Sequence, residues 1–350
     1  MSDTLHGVPL LTSLTQLAEP AIPQMSDLAP PPRFHGALFR TYIPQDPTQQ
    51  QAVTALTTRV AQWQAPPRRW PWQRKTPNAL RPGLYLDGGF GVGKTHLLAA
   101  TWHAATDVPR SYTSFQELLY FVGTLGMAGA TEAFRSTKLL LIDEFELDDP
   151  GNTLLVKRFL EAFFAHGGRV VTTSNTEPTA LGAGRFNAED FQREIQGVAS
   201  LFDLTRIDGP DYRQRTETAN WLHEHERAQL ERSDVQAGVT VRLSLTQLLR
   251  ELEQWHPARY GGLAIQLQAL HITDVHTIAS QNDALRFVHF IDKIYDHDVH
   301  VRATGSAPLH KLFHDSYHRS AYLKKHLRCQ SRLAELLVQA RAALPARQTA

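Results

Sequence analysis

The sequence predicts an α/β fold: a parallel five-stranded sheet flanked by helices, followed by a mainly helical C-terminal lid domain. Three observations predict it. Between Gly83 and Asp208, five short apolar strand signals alternate with helical segments. The stretch "KLLLIDEF", Lys138–Phe145, is apolar at consecutive rather than alternate positions, the pattern of a strand covered on both faces. After Tyr212 the chain turns polar, helical and histidine-rich.

The elements follow in order. Residues 1–40 are proline-rich and read as a flexible segment, residues 41–210 as the sheet-bearing core, and residues 211–350 as the lid or partner domain. In "YIPQDPTQQQAV", Asp46 is placed to cap a helix and Pro47 to open its first turn. "QAPPRRWPWQRKTPNALRP" reads as a proline-broken loop. "GLYLDG" is a strand and "KTHLLAATWHAA" a helix. "RSYTSF" is a strand whose Ser114, with Glu117, forms a capping box for "QELLYFVGTLG". The helix "NTLLVKRFLEAFFAHGG" is expected to be capped by Asn152 or Thr153 and to end at Gly167 and Gly168. "RVVTTSN", "AEDFQREIQGVAS" and "LFDLTRID" supply strand, helix and strand. Beyond them, "VRLSLTQLLREL" and "NDALRFVHFIDKIYDHDVHVRA" read as helix or helix-then-strand units, and the tail from Tyr317 as one long helix.

Composition narrows the function. A 42% hydrophobic chain of 350 residues can bury a core. A formal charge of +1 commits it neither to nucleic acid nor to an anionic membrane. The single cysteine, Cys329, excludes an intramolecular disulfide and suits a reducing compartment. No basic leader with an apolar core and no run of about 20 apolar residues is present, so a cytoplasmic protein is expected.

The chemistry is concentrated in "GGFGVGKTHLL", which fits G-x-x-x-x-G-K-[ST] at Gly88, Gly93, Lys94 and Thr95. Bare backbone there can turn its N–H groups toward phosphate oxygens, and the helix that follows points its positive end at them. The nucleotide-binding set is therefore Gly88, Gly89, Phe90, Gly91, Val92, Gly93, Lys94, Thr95 and His96. Lys94 would reach the β- and γ-phosphates of ATP, and Thr95 would ligate Mg2+. Asp143 and Glu144 end the most apolar strand, where an open α/β sheet binds its ligands. Asp143 suits the Mg2+ shell and Glu144 the polarisation of an attacking water. Asn175 closes "VVTTSN", where an amide can orient that water. Together they mark an NTPase.

The order of the phosphate loop, "IDEF", "TSN", "IDGPDYR", "ALRFVHFIDKIYD" and "RCQSRLAEL", from about Asp46 to Leu337, resembles the ZapE-type (AFG1-like) AAA+ ATPases. These are bacterial cell-division proteins with mitochondrial relatives. The resemblance implies a sheet in which the "TSN" strand lies between the other two motif strands. It also implies ATP and Mg2+, a homo-oligomeric (hexameric) ring, and partnership with the division protein FtsZ, with peripheral membrane association through partners. An arginine supplied in trans is implied too. Aligning Leu181, Phe191 and Ile195 puts Ala188 and Asp190 where the family has arginines, leaving Arg185 and Arg193 as substitutes, Arg185 preferred. Arg286 matches a family arginine that acts in cis, and Arg213 one read as structural. Asp46 and Gln49 match an acid-and-glutamine block that lies near the adenine or simply starts a helix.

Two other functions stay open: a replication ATPase of the initiator or helicase-loader type, and a nucleotide-dependent scaffold with little turnover. An initiator would be expected to carry a helix-turn-helix or a strongly basic C-terminal domain, and the sequence shows neither. The Arg68–Lys75 patch reads as linker or partner-facing loop rather than as a nucleic-acid site. His310, His314 and His318 read as a solvated helical face rather than a zinc site.

Overall fold

The computed structural model describes residues 10–65, 80–147, 150–175, 189–210, 220–319 and 322–344. The chain divides into two compact units: residues 24–212, and residues 1–23 together with 213–350. The expected N-terminal segment is therefore shared between them. Its first described residues form a short strand, β1 (Leu10–Leu11), of the second unit.

The 24–212 unit opens with α1 (Pro47–Gln64). As expected, Asp46 caps it by accepting from the Thr48 amide, and Pro47 occupies its first turn. There follow β2 (Gly83–Gly88), α2 (Lys94–Ala104), β3 (Arg110–Ser114), α3 (Phe115–Ala133), β4 (Leu139–Asp143), α4 (Pro150–Ala165), β5 (Arg169–Ser174), α5 (Glu189–Ala199) and β6 (Phe202–Ile207). The five strands are all parallel, in the order β3-β4-β5-β2-β6. The "TSN" strand β5 thus lies between β4 and β2, as the resemblance implied.

Strand alternation sends residues to two cores. Leu84, Leu86, Leu139, Leu141, Val171 and Ile207 pack with Leu56 of α1 and Leu97 of α2. Tyr85, Leu140, Ile142, Val170 and Phe202 pack with Phe115 of α3, Phe159 of α4 and Ile195 of α5. Ser114 and Glu117 form the expected box at the start of α3. That helix breaks at Gly126, whose φ of 67° and ψ of 169° are not helical. Helix α4 corrects the sequence reading. It begins at Pro150, so Asn152 and Thr153 lie inside its first turn rather than capping it, because proline is preorganised for the first helical position.

The other unit is helix-rich, with α6 (Glu224–Ala237), α7 (Leu245–Leu252), α8 (Tyr260–Ala264), α9 (Gln281–Asp296) and α10 (Leu323–Ala342). It also contains a second parallel sheet, ordered β1-β7-β8-β9, from β1 with β7 (Thr240–Ser244), β8 (Ala269–Val275) and β9 (His300–Gly305). The fold class expected from the sequence does not include that sheet. The N-terminal residues fasten to it: Leu10 and Leu11 pair with Thr240 and Val241, and the Leu14 amide donates to the buried Glu251 carboxylate at 2.7 Å.

Buried charge organises this unit. Asp234 accepts from Arg302 Nε at 2.9 Å and from His271 Nε2 at 3.1 Å. Asp292 of α9 lies between Arg328 and Arg332 of α10, Arg328 donating to it at 2.7 Å. The three histidines expected on one helical face are not on one helix. His310 lies in the short 3-10 helix Leu309–Lys311 and His318 in another, Asp315–Arg319.

His326 stacks on Phe313 with ring centroids 4.5 Å apart, and neither of its ring nitrogens has a hydrogen-bond partner among the described residues. Burial, reinforced by the charge of Lys325, holds its pKa down at about 4 from an ordinary 6.5. The unfolded chain therefore binds this proton more readily than the folded one. Stability is intact above pH 6.5 and falls as pH drops toward 4. At pH 5 the expected loss is about 1–2 kcal/mol. His326→Phe should flatten that slope in urea melts between pH 7 and 5, the remaining slope coming from His271, whose pKa burial also lowers. An unchanged slope would show that His326 is charged in the fold.

Candidate functional site

The turn 89–93 connects the last residue of β2 to the first of α2. Its glycines have steric reasons. Gly88 runs so close to β6 that a Cβ would stand 2.2 Å from the Ile207 carbonyl oxygen. Gly93 has a φ of 86°, and a Cβ there would meet the Tyr42 ring at 2.4 Å. Tyr42 braces the turn by donating from its hydroxyl to the Val92 carbonyl at 2.7 Å. His96, one turn into α2, places Nε2 at 3.0 Å from the Leu38 carbonyl and 3.3 Å from the Thr41 hydroxyl. The segment 38–42 therefore clasps the turn from outside, a role that nothing in its sequence pattern marks.

Lys94 is buried, and its ammonium donates to the carbonyls of Gly88, at 2.8 Å, and of Gly89. It also donates to Asn175 Oδ1 at 2.8 Å, 81 residues away in the chain. Thr95 donates to Asp143 Oδ1 at 3.3 Å. The sheet order explains both meetings: β5 is hydrogen-bonded to β2, and β4 to β5, so Asn175 and Asp143 emerge beside the turn. Asp143 is 8% exposed and surrounded by hydroxyls. Beyond Thr95, Tyr112 of β3 donates to Oδ2 at 3.2 Å and Thr173 of β5 donates to Oδ1. Glu144 follows with a φ of 57°, and its amide donates to the Thr173 hydroxyl at 3.0 Å. Lys94, Thr95, Asp143, Glu144 and Asn175 are thus gathered at the carboxyl ends of three neighbouring strands. Tyr112 and Thr173 were missed by sequence reasoning, because a tyrosine and a threonine inside strands are ordinary residues.

The remaining candidates divide. Arg193 lies on α5 with an exposed side chain. Arg185, Arg213 and the 68–75 patch fall outside the described residues. Arg286 belongs to α9 of the other unit, ion-paired with Asp283 at 3.1 Å and Glu253 at 3.5 Å. Gln49 is fully buried against Gly209, and its amide nitrogen has no hydrogen-bond partner among the described residues.

A sequence model of the AFG1-like ATPases matches residues 27–237 and 222–343, most of the chain. The chain belongs to the AFG1-like ATPase family. This AFG1-like ATPase is 25% identical over 309 residues to the cell division protein ZapE of Escherichia coli K12, covering 76% of this chain and 81% of that one. It is 21% identical over 330 residues to an uncharacterised Schizosaccharomyces pombe protein, covering 77% and 72%. AMPPCP-bound DnaA from Aquifex aeolicus superposes with a TM-score of 0.38 at 14% identity, over 57% of this chain and 55% of that one. The AFG1-like chain is an ATP-hydrolysing enzyme whose phosphate loop sits in a parallel five-stranded α/β core. No described helix is long and apolar enough to cross a membrane.

Proposed function

We propose that this ATPase uses Mg2+-dependent hydrolysis of ATP to remodel or position a protein partner in bacterial cell division, FtsZ being the candidate. The supporting observation is the convergence of Lys94, Thr95, Asp143 and Asn175 on one turn, in a chain similar to ZapE along 76% of its length. Lys94 directs its N–H groups at oxygen acceptors around that turn, and the phosphate oxygens of ATP would take their place. Thr95 and Asp143 form an all-oxygen donor pair, which suits a hard cation such as Mg2+. Mg2+ bound there would neutralise charge on the β- and γ-phosphates. Glu144 accepts the proton of the attacking water, and Asn175 orients that water.

The rest of the reading follows AAA+ logic. Subunits assemble as a ring, hexameric by resemblance, and a neighbour supplies Arg185 or Arg193 against the charge building on the γ-phosphate. Arg286 contributes in cis. The protein works in the cytoplasm and reaches membranes through its partners.

Lys94→Ala should weaken ATP binding about 10- to 100-fold through loss of charge-assisted hydrogen bonds. Glu144→Gln should co-sediment with FtsZ polymers in ATP, and Lys94→Ala should not. Absence of ATP-dependent co-sedimentation in both variants would remove FtsZ from the reading.

A further inference from the structure

Thr173 stands at the point where the two acids of the site meet the strand that carries Asn175. It is 2% exposed, near the end of β5, between β4 and β2. A hydroxyl can donate once and accept twice, and this one does both: it donates to Asp143 Oδ1 and accepts from the Glu144 amide at 3.0 Å. The carbonyl of the same residue accepts from the Phe145 amide at 2.7 Å. Two consecutive amides after the β4 tip are therefore held by one threonine. Between them Glu144 takes a φ of 57°, in the left-handed region that a residue with a Cβ rarely enters. The neighbouring Thr172 hydroxyl, by contrast, bonds the Ile142 carbonyl and touches neither acid.

We propose that Thr173 is a positioning residue for both acids, its hydroxyl fixing the Asp143 carboxylate and the backbone turn that aims Glu144. The proposal rests on the ATPase reading above and deepens it. Removing the hydroxyl frees Asp143 Oδ1 from one of its two hydroxyl donors, Thr95 being the other, and releases the Glu144 amide.

The test compares full-length Thr173→Val, which keeps the shape and loses the hydroxyl, with Thr173→Ser, which keeps the hydroxyl. ATP turnover is measured against ATP and Mg2+, and binding of a fluorescent ATP analogue is measured with and without Mg2+. Thr173→Val should lower kcat about 10- to 100-fold and raise the Mg2+ concentration that half-tightens analogue binding by about tenfold. Metal-free binding should stay unchanged, and Thr173→Ser should restore the wild-type values. Three results would overturn the proposal: Thr173→Val matching wild type, Thr173→Ser as impaired as Thr173→Val, or metal-free binding lost along with turnover. If Thr173→Val does not fold, Thr173→Ala is judged by the same criteria. Wild-type protein without turnover would sink the ATPase reading instead, and the metal dependence of analogue binding would still decide the role of Thr173.

Discussion

Glu144→Gln should bind ATP as wild type does and hydrolyse it about 100- to 10,000-fold more slowly, the range that a positioned general base contributes. The amide keeps the size of the carboxylate and most of its hydrogen bonding, but it cannot take a proton from water. The local backbone should survive the change, because the main-chain N–H groups of Glu144 and Phe145 donate to Thr173 at this left-handed turn. Single-turnover hydrolysis beside equilibrium ATP binding separates the two effects. Hydrolysis at the wild-type rate would move the base elsewhere and leave Glu144 a residue at the rim of the site.

Asp292→Ala should destabilise the 213–350 unit by about 3–5 kcal/mol, the range for removing one partner of a buried ion pair. Burial alone would raise the Asp292 pKa, but Arg328 and Arg332 outweigh it and hold the carboxyl well below the usual carboxylate range. The two arginines are 4% and 2% exposed and four residues apart on α10, with Cys329 between them. Taking the carboxylate away leaves two guanidinium groups facing each other without their shared anion. The expected result is a separate unfolding transition at lower denaturant, with ATP still bound by residues 24–212. A loss below about 1 kcal/mol would mean that the helices α9 and α10 are held by their apolar faces alone.

The site was largely legible because its parts are local and chemically distinctive. Glycine, lysine and threonine in "GGFGVGKT" have few reasons to follow one another, and an acid pair ending a fully apolar strand has few reasons besides a cation. Sheet order then did the long-range work, delivering Asn175 to Lys94. What stayed hidden was relational. Nothing in "SYTS" shows that the Tyr112 hydroxyl reaches Asp143, and nothing in "FRTY" shows that Tyr42 lies over Gly93. The second sheet was missed for a related reason. "TVRLS" and "ALHITDV" are short strands beside strong helical signals, and the first pairs with two residues from the opposite end of the chain. The fold gives the motifs "FIDKIYD" and "RCQSRLAEL" a structural reason: they supply the buried carboxylate and its two arginines.

The early strand β1 also has a temporal consequence. Its partner Thr240 is synthesised 230 residues after Leu10, so on the ribosome those first residues emerge with nothing to pair with. Residues 24–212 can complete their own sheet meanwhile, whereas the later domain must wait for its own strands and then recapture Leu10 and Leu11. Leu10 and Leu11 are thus made long before they can find their place.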